Sequence, residues 1–196
     1  MIPVLITIGV AIIVAYFILT YKPKQKDDLK DLYTEGLDLM VDGHRQGAYE
    51  NFKKIIQKDT GQVKAYIKLG QVIREGGNPA SALKIHNSLS FRKDLTYYEK
   101  VEILKNLTLD YYKLKKTDQA IEQCKKILKI NSKNDWALSK LIYFYQNQKD
   151  WLNSKKYLEL KLKHSGSTDQ HSIALYKVQE GRILLSENKF EEARAC

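Results

Sequence analysis

Five times along the chain a position twelve residues ahead pairs with a small partner: Gly36 with Ala48, Gly70 with Ala82, Thr108 with Ala120, Ile142 with Ser154 and Gly181 with Ala193. The second members of these pairs fall 34, 38, 34 and 39 residues apart. Self-similarity on that scale means an array of small units, each burying its apolar face against the next. A small residue on each of two antiparallel helices lets their axes approach closely, and larger side chains fill the space beside them. Leu32, Tyr66 and Leu138 take the early bulky place in the first helix of a unit, and Leu39, Ile73, Tyr111, Tyr145 and Leu184 pack one face further on. Phe52, His86, Cys124 and Leu158 take the middle of the second helix. The phasing predicts helix pairs over residues 29–58, 63–91, 98–130, 135–163 and 171–196, with no strand-like alternation. Gly43 and Gly77 stand where the turn inside a unit begins, which suits a left-handed helix end. Extra residues around 91–96 and 165–170 predict longer loops before the third and fifth units. The fifth unit keeps only the opening of its second helix, Glu191 to Cys196, and reads as a truncated repeat whose apolar face is unpartnered.

A 34-residue helix-turn-helix period resembles the tetratricopeptide repeat. The expected fold class is therefore all-α, with a solenoid of about four and a half repeats over residues 29–196.

Ahead of the repeats, residues 1–21 read MIPVLITIGVAIIVAYFILTY and carry no charged side chain. About 20 apolar residues, as a helix rising 1.5 Å per residue, span roughly the 30 Å hydrocarbon core of a bilayer. This segment is expected to be a transmembrane anchor. A cleavable signal would carry a basic start and a small-residue cleavage site, whereas here nothing basic precedes the run. Lys22, Lys24 and Lys26 flank its carboxyl side, within a basic linker over 22–28. That one-sided positive charge predicts that everything after the anchor faces the cytoplasm. Tyr16, Phe17 and Tyr21 occupy the level where interfacial aromatics sit.

All 33 Lys and Arg and all 23 Asp and Glu follow Tyr21, giving a net charge of +10. The basic residues are mostly lysines scattered singly along helical patterns, which is the pattern of a solvated helical surface, and nucleic acid is not an expected partner. Two cysteines, Cys124 and Cys196, neither staple a secreted fold nor supply four zinc ligands. There is no Gly-rich phosphate loop, no His-Glu-x-x-His and no Gly-x-Ser-x-Gly, so no catalytic, cofactor-binding or metal residue is expected and the chain is not read as an enzyme. His86 lies at a core position, His44, His164 and His171 are scattered near turns, and Cys124 reads as a small buried hydrophobe.

The residues Asp59 to Tyr66, Leu69-Gly70, Arg74, Gly77, Ala82 to His86 and Leu89 resemble the bacterial lipopolysaccharide assembly protein B family. Leu107 to Tyr112, Tyr145-Gln146 and Trp151 continue the similarity, as does the order of anchor, short basic linker and repeats. The resemblance implies an inner-membrane adaptor facing the cytoplasm. Members bring the deacetylase that commits precursor to lipid A synthesis to a membrane AAA+ protease, limiting lipopolysaccharide production. The family ends in a rubredoxin-like metal domain on two Cys-x-x-Cys pairs. This chain carries neither pair, so the resemblance concerns the N-terminal part only. The alternative is a general tetratricopeptide scaffold in envelope or complex assembly.

Solenoids of this class bind partners on the first helix of each unit. By register the groove residues are Tyr33 and Leu37, then Lys64, Ile67, Gln71 and Arg74, then Lys105, Leu109 and Tyr112, then Ser139, Tyr143 and Gln146. Arg74, Tyr112 and Tyr143 are expected on successive faces, as the residue types that dominate interface energetics. Repeats that clamp acidic chaperone tails carry Lys and Asn where Tyr33 and Leu37 stand, so that kind of cochaperone is not expected.

Overall fold

The computed structural model describes residues 29–166 and 169–195. The expected anchor (1–21) and basic linker (22–28) lie outside the described residues. Among the described residues there is no strand, and no helix is long and apolar enough to cross a membrane.

Among the described residues, ten helices form five antiparallel pairs: α1 (Leu29–Val41) with α2 (Arg45–Lys58), α3 (Val63–Glu75) with α4 (Pro79–Leu89), α5 (Tyr97–Lys113) with α6 (Thr117–Ile130), α7 (Asp135–Asn147) with α8 (Trp151–Ser165), and α9 (Gln170–Ser186) with α10 (Phe190–Arg194). Each helix packs on its neighbours in sequence, and α3 also meets α5, so the odd-numbered helices share one side of the array.

Local chemistry sets the ends. Thr96 accepts the Glu99 amide while the Glu99 carboxylate accepts the Thr96 amide, a reciprocal cap that opens α5. Asn78, Asn134, Asp150 and Asp169 each accept an amide three residues on, satisfying donors that the first turn of a helix leaves free. Every turn inside a unit is closed by one left-handed residue: Gly43, Gly77, Lys115, Lys149 and Asn188. Glycine adopts that conformation without strain, whereas a side chain with a Cβ does not. Lys149→Gly should therefore stabilise the fold by about 1 kcal/mol, raising the melting temperature by roughly 2–4 °C. Calorimetry that finds no rise would show that the φ of 60° at Lys149 carries no strain.

The small positions work as the spacing requires. A Cβ on Gly36 would stand 2.9 Å from the Phe52 ring, and one on Gly70 would run into the His86 ring. In the third unit Thr108 takes the glycine place, and the facing residue is the smaller Cys124, whose thiol donates to Thr108 Oγ1 at 3.8 Å. Phe52, His86 and Cys124 are all fully buried.

The core sits between units. Leu32, Ala48, Phe52, Ile55, Ala65, Leu69 and Val72 join the first to the second, and Ile67, Leu89, Ile103 and Leu107 join the second to the third. Ala120, Cys124, Ile127, Leu141 and Phe144 lie in the cluster that joins the third to the fourth. Burial of Cys124 pushes its thiol pKa up to about 12, so at neutral pH the nucleophilic thiolate is scarce. A Cys196→Ser chain should leave its remaining thiol untouched by maleimide in native buffer and expose one reactive thiol in guanidinium. Fast native labelling would contradict the burial of Cys124.

The fifth unit is attached differently. Tyr176 of α9 inserts against Trp151, and its hydroxyl accepts from Gln146 Nε2 at 2.5 Å and shares a 2.7 Å hydrogen bond with Ser154 Oγ. Val178, Leu185 and Phe190 remain exposed and flank a hollow of about 790 Å³ between α9 and α10.

Candidate protein-binding groove

The first helices of successive units, α1, α3, α5, α7 and α9, bring the register-predicted residues to one side of the array. A hollow of about 170 Å³ crosses the first three of them. Tyr33 from α1 walls it, held by an edge contact with the Phe52 ring at 5.7 Å. Tyr98 from α5 forms the opposite wall and is 78% exposed, Ile67 lies at the floor, and Lys64 and Lys68 reach in from α3. Half-burial raises the Tyr33 phenol pKa, so it stays a neutral hydroxyl. The two carboxylates at the hollow are committed locally. Glu99 caps α5, and its bonds to Thr96 hold it below the usual carboxylate range, while Glu102 pairs with Lys105 at 2.7 Å.

The groove continues onto α7 as a patch of rings and lysines. Lys105 and Lys140 place their ammonium groups 5.8 and 5.9 Å from the Trp136 ring, and Lys140 also stands 5.8 Å from the Tyr143 ring. The Tyr112 and Tyr143 hydroxyls are 2.8 Å apart, and the Tyr112 ring packs 5.0 Å from Phe144, which anchors the pair in the core. The hydrogen bond from Tyr112, a further one involving Asn147, and the nearby Lys140 and Lys115 charges hold the Tyr143 phenol below the usual tyrosine range, and Tyr112 is correspondingly raised. Further along, Gln146, Trp151, Leu175 and Gln179 border a hollow of about 260 Å³ over Tyr176.

Of the register-predicted residues, Tyr33 and Lys64 meet in the first hollow, and Lys105, Tyr112 and Tyr143 in the ring patch. Gln71 lies along the surface of α3, accepting from Lys68 and donating to Glu75. Ser139 accepts a 2.6 Å bond from Lys161 of α8, Leu37 and Leu109 are half-buried, and Gln146 reaches Tyr176.

Arg74 departs from the expectation of a groove contact. It is 7% exposed, and its guanidinium donates to Asp110 Oδ1 at 2.9 Å and to Asn106 Oδ1 at 3.1 Å. On the other side of Asp110, His86 Nδ1 meets Oδ2 at 2.5 Å while its Nε2 faces the Ile67 carbonyl at 3.1 Å. Both ring nitrogens thus face oxygen atoms, and Asp110, fully buried, is the shared anion of the cluster. A buried carboxylate demands a paired cation, and that demand draws Arg74 inward. Ile67 is likewise buried, as the floor of the hollow rather than a contact on its rim.

Trp136, Lys140 and Tyr98 were not anticipated. Trp136 shares the register of Lys64 and Glu102, so the same spacing contained it. Tyr98 lies in the first turn of α5, directly after the longer connection before the third unit, where the register has just been interrupted. Among the described residues no three His, Cys, Asp or Glu side chains gather where they would hold a metal ion.

Paired helices in an array of units 34 to 39 residues apart, with exposed rings and lysines along the first helices, define a tetratricopeptide-repeat protein-interaction scaffold. The chain resembles lipopolysaccharide assembly protein B. It is 23% identical to that protein from Escherichia coli strain K12 over 206 aligned positions, covering 88% of this chain and 53% of the relative. The chain therefore spans about half the length of the curated relatives it matches. No family model matches. Among solved structures, the fold is shared with the MamA protein (TM-score 0.62, 16% identity, 86% of this chain and 87% of that one). It is also shared with a tetratricopeptide repeat protein from Parabacteroides merdae (TM-score 0.63, 17% identity, 84% and 62%).

Proposed function

We propose that this protein is a non-catalytic adaptor of the inner membrane that limits lipopolysaccharide synthesis by presenting the lipid A pathway deacetylase to a membrane AAA+ protease. The observation that carries this reading is the similarity to lipopolysaccharide assembly protein B across 88% of the chain. Two features of the chain support it: the uncharged run at 1–21 followed by Lys22, Lys24 and Lys26, and the row of rings and lysines on α1 to α7. In this reading residues 1–21 hold the solenoid at the membrane with its repeats in the cytoplasm. Co-residence with a membrane protease then raises the effective concentration of whatever the groove holds, and no side chain performs a reaction.

The test is site-specific crosslinking. A photo-reactive amino acid at position 143, in the full chain expressed in cells of the source organism, should yield adducts containing the deacetylase or the protease. Moving the reactive group to position 58, at the end of α2 and away from the groove, should yield neither. Deacetylase and protease both absent from the position-143 adducts would reject the adaptor reading in favour of the general scaffold.

A further inference from the structure

The groove has two ring-lined stations, and their chemistry is more specific than a generic interaction face. The first is the 170 Å³ hollow between Tyr33 and Tyr98, a space suited to one apolar or aromatic side chain, with Lys64 and Lys68 beside it. The second is the patch of Trp136 and Tyr143, with Lys105 and Lys140 beside it. Charge is unbalanced along the path between them. Glu99 is held by its helix cap and Glu102 by Lys105, whereas Lys140 has no ion pair among the described residues and rests on two rings. An incoming carboxylate would meet Lys140 without displacing an acid already there.

We propose that the α3 to α7 stretch of the groove takes an extended acidic segment of a partner protein, about six residues long, with an apolar or aromatic side chain at each end and carboxylates between. The length follows from the geometry. Neighbouring packed helices lie about 10 Å apart, so the two steps from α3 to α7 cover about 20 Å, which an extended strand bridges in about six residues. A single-stranded nucleic acid fits less well, because the Lys105 and Lys140 ammonium groups already sit against the Trp136 ring, where a base would stack. The proposal rests on the groove being the partner-binding face and adds the chemistry of what it holds.

The probe is a fluorescein-labelled peptide carrying Phe-Asp-Glu-Asp-Glu-Phe between Gly-Ser flanks, titrated by anisotropy with the full 196-residue chain in detergent micelles. It should bind at least about tenfold more tightly than its Asn/Gln counterpart, and more weakly as salt is raised. A Lys64→Gln, Lys140→Gln double variant should weaken binding by about tenfold with circular dichroism and melting temperature unchanged, and Trp136→Ala, whose ring also packs against the core, should weaken it by about tenfold with helical content retained. Lys177→Gln, on α9, should have no effect. Equal affinity for the Asn/Gln peptide, insensitivity to these variants, or tighter binding of a poly-thymidine oligonucleotide would each overturn the proposal. A failed titration with deacetylase or protease adducts still forming at position 143 removes only the acidic-segment chemistry. Failure of both removes the adaptor reading as well.

Discussion

Asp110→Ala is expected to cost about 3–5 kcal/mol of folding stability, because it removes the one anion between two buried basic side chains. Asp110 and His86 are fully buried and Arg74 nearly so, and the three come from α5, α4 and α3. Without the carboxylate, the Arg74 guanidinium keeps only its bonds to Asn106, and His86 Nδ1 loses its partner. An intact buried cluster need not be stabilising relative to an apolar replacement, but an orphaned member of it is costly. Chemical denaturation should therefore show a lower midpoint for Asp110→Ala, and the loss should shrink in an Arg74→Met background. The coupling between the two substitutions should reach about 1–3 kcal/mol. Additive losses would mean that Arg74 and Asp110 do not act on one another.

Gly70→Ala should be nearly as damaging, at about 3 kcal/mol, although alanine is the better helix former by about 1 kcal/mol. The new methyl group would run into the His86 ring, which is held from one side by Asp110 and from the other by the Ile67 carbonyl. Retreat of the ring breaks at least one of those hydrogen bonds, and a buried unsatisfied partner costs about 1–3 kcal/mol. The signature is a reversal. In a His86→Ala background the clash is gone, and Gly70→Ala should then be neutral or stabilising. If Gly70→Ala is harmless on its own, the close approach of α3 to α4 at this point is wrong.

These two sites also mark how far the sequence could be read. The glycine and alanine phasing exposed five helix pairs, because close helix approach leaves a small residue at a fixed spacing, and Gly43 and Gly77 announced their turns for the same kind of reason. Lys115, Lys149 and Asn188 close equivalent turns, yet nothing about a lysine signals left-handed backbone, so only the repeat phase locates them. Arg74 occupies the register that places Tyr112 and Gln146 on the groove side, and the spacing put it there too. Its partner lies 36 residues away on another unit, and burial of that carboxylate is a tertiary fact that no local pattern carries. The ring patch was half legible. Tyr112 and Tyr143 followed from the register, but the stacking of Lys105 and Lys140 on Trp136 depends on how α5 and α7 face each other.

The claim that the solenoid and its anchor together present the deacetylase for destruction is tested most directly by the lifetime of that enzyme. Pulse-chase labelling in cells lacking this gene should show the deacetylase persisting longer than in the parent. Restoring the full chain should return the half-life to normal, whereas a chain lacking residues 1–21 or carrying Trp136→Ala and Tyr143→Ala should not. A deacetylase half-life unchanged by loss of the gene would contradict the account.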